Sequence, residues 1–148
     1  MRRAWDLLAP LPLGRWLFSR LLGWLAPYTG TMGATVEELA PGHVRVRLPD
    51  RRRVRNHLDS IHAIALANVA ELASGLAVTS ALPPGVRGIP VSLHMAYVKK
   101  ARGTVVAECT TSLPPVTADV EHVAQVAVRD AAGDVVASGT VTWKLGPV

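Results

Sequence analysis

Glu71 is the residue most out of place in this chain of 148. It closes the run Ala63-Ile64-Ala65-Leu66-Ala67-Asn68-Val69-Ala70-Glu71, which is apolar except for Asn68. Its neighbours at helical spacing are Ala67, Leu72, Ser74, Gly75 and Val78, and no Lys or Arg lies between Arg55 and Arg87. A structural salt bridge therefore has no partner on the same helix. A carboxylate so placed is either solvated at a cleft or buried with a raised pKa, and both conditions point toward function. The helix start near His62 and Ala63 offers a complementary feature. Its free backbone N–H groups carry the positive end of the helix dipole and can hold a carbonyl oxygen as it becomes negative. Eight residues separate Ala63 from Glu71, about 12 Å at 1.5 Å per residue. One subunit cannot bring both to a single carbonyl. Two antiparallel copies of the helix, side by side, would do so, and such a site requires a dimer.

The elements that must position these groups are legible from period and breakers. His62 to Leu82 reads as one long helix that ends at Pro83-Pro84-Gly85. Its abundance of Ala, Ser and Gly allows close approach to a sheet. Ahead of it, Val44, Val46 and Leu48 alternate with basic residues, and Pro41-Gly42 marks a turn to a partner strand over Ala34 to Ala40. Pro49 to Ile61 is a polar loop. After the helix, strands are expected over Ile89 to Tyr97, from Val105 through Cys109, over Glu121 to Arg129 and over Val135 to Leu145. Leu13 to Leu25 reads as a further helix, stopped by Pro27. The resulting class is α+β, a curved antiparallel sheet wrapped around one long helix, since no other element can cover the sheet's apolar face. The expected division is an N-terminal amphipathic helical segment, 1–29, and a main domain, 30–148.

Composition narrows the partners. Hydrophobic residues are 49% and charged residues 18%, enough for a real core. The net charge of +5 favours an anionic partner. Aromatic residues are only 5% and do not alternate with basic ones, which argues against a stacking platform for single-stranded nucleic acid. Cys109 is the only cysteine, so no intrachain disulfide or cysteine metal cluster can form. It reads as a buried inert thiol, and a cytoplasmic location is expected. The start Met1-Arg2-Arg3 raises the question of a secretory signal, but Asp6, Pro10, Pro12, Arg15 and Arg20 interrupt the apolar run. No stretch approaches the roughly 20 apolar residues of a membrane span. Trp and Arg together in residues 13–25 suit peripheral contact with a membrane surface, against the plainer reading of a helix packed on the domain or on a partner subunit.

The segment from Asn56 to Glu71 resembles the signature of phenylacetate-type and 4-hydroxybenzoyl-CoA-type hotdog thioesterases. Those carry an Asn, a His followed by two glycines, and an acidic residue nine positions after the His. Asn56, His62 and Glu71 fall on these positions. The fuller string Asn56-His57-Leu58 with Ser60-Ile61-His62-Ala63 is closer to an uncharacterised branch of hotdog thioesterase-like domains. Tyr97 to Gly103 is similar to a strand end these domains share, and the resemblance spans roughly 30–145. It implies a hotdog fold, an acyl-CoA or acyl carrier protein thioester as substrate, and a homodimer or tetramer of dimers. It implies Glu71 as nucleophile or general base, the Ala63 amide after His62 as the group that polarises the carbonyl, and Asn56 as a positioning residue. Ala63 and Ile64 replace the two glycines, so a non-catalytic acyl-thioester binding protein is the alternative to a hydrolase.

The remaining polar residues carry weaker signals. His62 suits a structural role at the helix start. His57 lies fourteen residues before Glu71, a spacing found in hotdog dehydratases, but the Pro and Gly of their intervening loop are missing. His57, Asp59 and His62 make only a weak metal triplet, and no metal is expected. His94 reads as surface or interface. Arg51, Arg52, Arg53 and Arg55, with Lys99, Lys100 and Arg102, are either a solvated surface or a site for coenzyme A phosphates. Coenzyme A would enter as part of the substrate, with no separate cofactor.

Overall fold

The computed structural model describes all 148 residues. Three N-terminal helices, α1 (Arg2–Leu8), α2 (Gly14–Leu25) and α3 (Pro27–Gly30), precede the strands β1 (Thr35–Ala40) and β2 (His43–Leu48). A 3-10 turn at Arg52–Val54 leads into the long helix α4 (Ala63–Ala81), followed by β3 (Val86–Tyr97), β4 (Val105–Thr110), β5 (Val120–Arg129) and β6 (Val135–Pro147). All six strands form one sheet in the order β1-β2-β4-β5-β6-β3, with every neighbouring pair antiparallel. Tight reversals at Gly42 (φ 74°) and Gly133 (φ 87°) close the β1–β2 and β5–β6 hairpins in backbone conformations that a side chain disfavours.

The sheet curves around α4. Val44, Val46 and Leu48 from β2, Val105, Ala107 and Cys109 from β4, and Val126 and Val128 from β5 turn one face inward. They meet Leu66, Val69, Ala70, Ala73, Leu76 and Ala77 of the helix. The small side chains permit the wrap: a Cβ at Gly139 of β6 would lie 3.1 Å from the Ala70 Cβ. A larger residue at either position would overpack this contact, at a cost of about 1–3 kcal/mol. With 19 residues and a mean hydropathy of 1.4, α4 is long and apolar enough by composition to cross a bilayer, contrary to the expectation that no segment approached that character. In this fold the sheet covers one face of it, and 44% of its apolar stretch is buried.

The N-terminal segment holds three helices where one was expected. Trp5 and Phe18 meet edge to face at 5.0 Å and belong to the same core as the sheet and α4. Ser19 accepts a hydrogen bond from the Val36 N–H at 2.9 Å, so α2 satisfies a donor on the edge strand β1. No such cover protects β3 at the other edge. The alternation of Ile89, Val91, Leu93, Met95 and Tyr97 implies an inward face, yet only Met95 is half-buried and the rest are exposed. β3 lies at the edge of the sheet, with β6 as its only strand neighbour, and it touches α4 without being covered by it.

Candidate active site on the uncovered face of the central helix

One stripe of α4 escapes the sheet. Ile64, Asn68, Glu71, Gly75 and Thr79 recur at spacings of three and four, and each is exposed or half-buried. Glu71 sits in its middle, with no ion pair and no hydrogen bond to its carboxylate. Burial pushes its pKa above the usual carboxylate range. Gly75, one turn on, leaves room beside it: a Cβ there would lie 3.9 Å from Glu71 Oε1 and 3.6 Å from Trp143 Cη2. The buried Trp143 indole N–H has no hydrogen-bond partner. The sequence reading missed this residue. Its only sequence signal was a tryptophan at an inward position of a strand.

The helix start is built as a donor site. His62 is the N-cap, and its Nδ1 accepts the Ile64 N–H at 3.0 Å. The His62 N–H donates to the Val54 carbonyl at 2.8 Å. Between them, the Ala63 N–H makes no hydrogen bond. The Ala63 carbonyl accepts from the Tyr97 hydroxyl at 3.1 Å, which ties the end of β3 to this turn. A cleft of about 560 Å³ opens beside it, lined by Tyr28, Thr31, Arg53, His62, Ile64 and Asn68 among others. The Ile64 side chain is 55% exposed at the position where the resemblance places a glycine.

Asn56 is occupied within its own loop. Its Oδ1 accepts from the Leu58 N–H at 2.9 Å, the Ser60 N–H at 3.3 Å and the Ser60 hydroxyl at 3.1 Å. These bonds shape the turn that holds Asp59 at φ 51° and deliver the chain to the start of α4. His57, Asp59 and His62 do not converge on a common point. His94 is exposed on β3. Cys109 is buried, and desolvation pushes its thiol up to about 11.

Two cationic segments far apart in sequence are brought together. Asp50 accepts from Arg55 Nε at 2.6 Å and from the Gly103 N–H at 2.9 Å, and Ile61 donates to the Ala101 carbonyl at 2.8 Å. The arginine loop thereby lies against the segment carrying Lys100 and Arg102. The Arg55 guanidinium holds the Asp50 carboxyl below its ordinary range. Lys99 is likewise engaged, by Asp130 at 2.8 Å and Asp134 at 2.7 Å. Arg53, Lys100 and Arg102 make no ion pair within the chain.

Known proteins share this architecture. A crystal structure from a structural-genomics programme superposes with a TM-score of 0.81 at 34% identity over 88% of both chains. A Pseudomonas aeruginosa protein of unknown function, a candidate thioesterase, gives a TM-score of 0.81 at 23% identity over 93% of this chain and 97% of its own. A Haemophilus influenzae thioesterase gives 0.73 at 16% identity over 85% and 88%, a likeness of fold. These are hotdog structures, and the curved sheet around α4 is the same fold. In sequence, a candidate esterase of Halobacterium salinarum is 30% identical over 106 residues, covering 68% of this chain and 70% of its own. Residues 14–145, which include α2, the Glu71 stripe and all but the end of β6, match the family model for a domain of unknown function, DUF4442, and the chain belongs to that hotdog family.

Proposed function

We propose that this protein hydrolyses an acyl thioester at a site completed by a second copy of the chain. The observation that carries the reading is Glu71: a half-buried carboxylate without a partner, with a raised pKa, on the uncovered face of α4. Such a group is a stronger base than a solvated carboxylate once ionised. It either attacks the carbonyl carbon, expelling the thiolate to leave an acyl-Glu71 anhydride that water then cleaves to the acid and free Glu71, or it takes a proton from a water that attacks the carbon and expels the thiolate directly. The unpartnered Ala63 N–H is suited to the oxygen that gains charge. The esterase and thioesterase relatives support hydrolysis as the reaction class.

The dimer follows from the same surfaces. Ala63 and Glu71 are about 12 Å apart on one helix. β3 offers an open edge with exposed Ile89, Val91 and Leu93, a surface that invites pairing with another strand. Antiparallel pairing of two β3 edges would set two α4 stripes side by side in opposite directions. One copy's Ala63 amide then approaches the other copy's Glu71. Asn56 contributes by shaping the loop before His62, and His62 by capping the helix so that the Ile64 amide is taken and the Ala63 amide is left free. Arg53, Lys100 and Arg102 are free to meet the phosphates of coenzyme A or of a carrier-protein thioester. Arg55 and Lys99 reach them only by leaving carboxylates of their own chain.

The test is Glu71→Gln, assayed by thiol release from a panel of acyl-CoA thioesters. The variant should fold, assemble and bind substrate, with kcat reduced about 10²- to 10⁴-fold. Undiminished turnover by the folded variant refutes the assignment. A wild type that binds acyl-CoA without releasing thiol makes the protein a binding module, a role in which the Ile64 side chain narrows the site.

A further inference from the structure

The outer surface of α1 and α2 is not used by the proposed reaction, and its composition is inverted for a surface exposed to water. Phe18 and Gly14 face inward on α2, while Leu13, Trp16, Leu17, Leu21, Trp24 and Leu25 face out. Leu13 is 79% exposed and Trp24 77%. Leu7 and Leu11 before them are exposed as well. Leu13, Trp16, Leu17, Leu21 and Trp24 adjoin at spacings of three and four, and an apolar patch of this kind on a folded chain marks an interaction surface. Its rim is basic. Residues 1–36 carry Arg2, Arg3, Arg15 and Arg20 against a single acidic residue, Asp6, which lies 3.8 Å from Arg2. The Arg20 guanidinium lies 5.9 Å from the Trp16 ring centroid. A cavity of about 320 Å³ opens at the edge of the patch, between α2 and the loop after β2. Trp16, Arg20, Trp24 and Arg51 are on its wall. Neither Arg15, Arg20 nor Arg51 has a carboxylate partner.

We propose that this face docks on a bilayer containing anionic lipid, with the leucines at the level of the acyl-chain boundary and Arg20 and Arg51 on lipid phosphates. Large apolar side chains, tryptophan and arginine on one helix face are the combination that lies in a membrane interface. Tryptophan settles at the headgroup level, which places Trp16 and Trp24 there. The cavity walled by Arg20 and Arg51 has room for a phosphate headgroup. The basic rim decides against a second copy of this chain as the occupant. In a two-fold contact the patch would meet itself and enclose two copies of the same basic rim in one interface, with no acidic side chain in the segment but Asp6 to offset them. Anionic lipid is complementary to both parts of the surface. The tight packing of Gly23 against Gly30, where a Cβ on Gly23 would lie 3.0 Å from the Gly30 Cα, holds α2 and α3 together as one platform. This inference is independent of the reaction at Glu71.

The experiment is flotation of the full chain with vesicles of phosphatidylcholine containing phosphatidylglycerol, and with vesicles of phosphatidylcholine alone. The wild type should float with the first and largely remain behind with the second. Arg20→Gln with Arg51→Gln should weaken binding about 25-fold, taking about five-fold for each arginine near an anionic surface. Trp16→Ser with Trp24→Ser should abolish flotation while circular dichroism and hydrolysis of a soluble thioester stay unchanged. A wild type that fails to float with the anionic vesicles overturns the proposal. So does a Trp16→Ser/Trp24→Ser variant that floats as wild type does, or one whose only change is a smaller oligomer, which would assign the patch to a second copy.

Discussion

Replacing Ala63 with proline would remove one hydrogen atom from the proposed site and leave most of its surroundings in place. Ala63 is the first residue of α4, the helical position where proline is favoured because the N–H there has no intrahelical acceptor. The preceding residue satisfies the other requirement: His62 has φ −63° and ψ 141°, the extended conformation that a following proline demands. The Ala63 carbonyl, which accepts from Tyr97, is untouched, as is the His62–Ile64 cap. Stability should therefore hold or rise by about 0.4–1 kcal/mol, from reduced freedom of the unfolded chain. If the Ala63 amide holds the developing oxyanion, kcat should fall about 10²- to 10³-fold, or about 2.7–4 kcal/mol of transition-state stabilisation. The assay is steady-state thiol release, paired with a thermal melt and light scattering on the same sample. Ala63→Gly, which keeps the N–H, is the control and should retain most activity. An Ala63→Pro protein with wild-type melting temperature, wild-type assembly and wild-type kcat/KM would refute the reasoning, because no donor would then have been lost from the reaction.

Four further outcomes are expected. Glu71 has a raised folded pKa, so the folded state binds more protons than the unfolded state and stability declines as pH rises from the ordinary glutamate range through that pKa; Glu71→Gln should abolish this decline and melt no lower than wild type at neutral pH, whereas a lower melting temperature would identify a stabilising structural carboxylate. The wild-type rate should also fall on acidification at a pH above the usual carboxylate range, as the base is protonated. Val91→Lys with Leu93→Lys on the open edge of β3 should give monomers by light scattering and abolish turnover, and a fully active monomer would remove the shared site. Arg53→Gln with Arg102→Gln should weaken coenzyme A binding and flatten its salt dependence, while Arg55→Gln, which breaks the contact with Asp50, should act mainly on the loop; unchanged coenzyme A binding in the double variant would leave these charges as a solvated surface.

The order of the elements of the main domain was legible in the sequence because its signals are local. Val44, Val46 and Leu48 alternate as a half-buried strand must, Pro83-Pro84-Gly85 stops α4 at Ala81, with Leu82 as its C-cap, and the turn at Ala132-Gly133-Asp134 divides β5 from β6. The anomaly of Glu71 was local too: a carboxylate in an apolar helix with no cation on the same helix within reach. The short α1 was missed because seven residues without a side-chain cap carry little periodic signal. What tertiary structure decided were relations between distant residues. Placement of β3 at the sheet edge depends on which strands pair, and the same alternating residues could serve a central strand. Lys99 is claimed by Asp130 and Asp134, more than thirty residues away, and Asp50 brings Arg55 and Gly103 together across the loop. Asn56 spends its oxygen on its own turn, and Ala63 keeps a free N–H because His62 caps its neighbour. Period and spacing describe one element at a time, whereas burial, ion pairing and an unclaimed donor depend on what the rest of the chain places beside it.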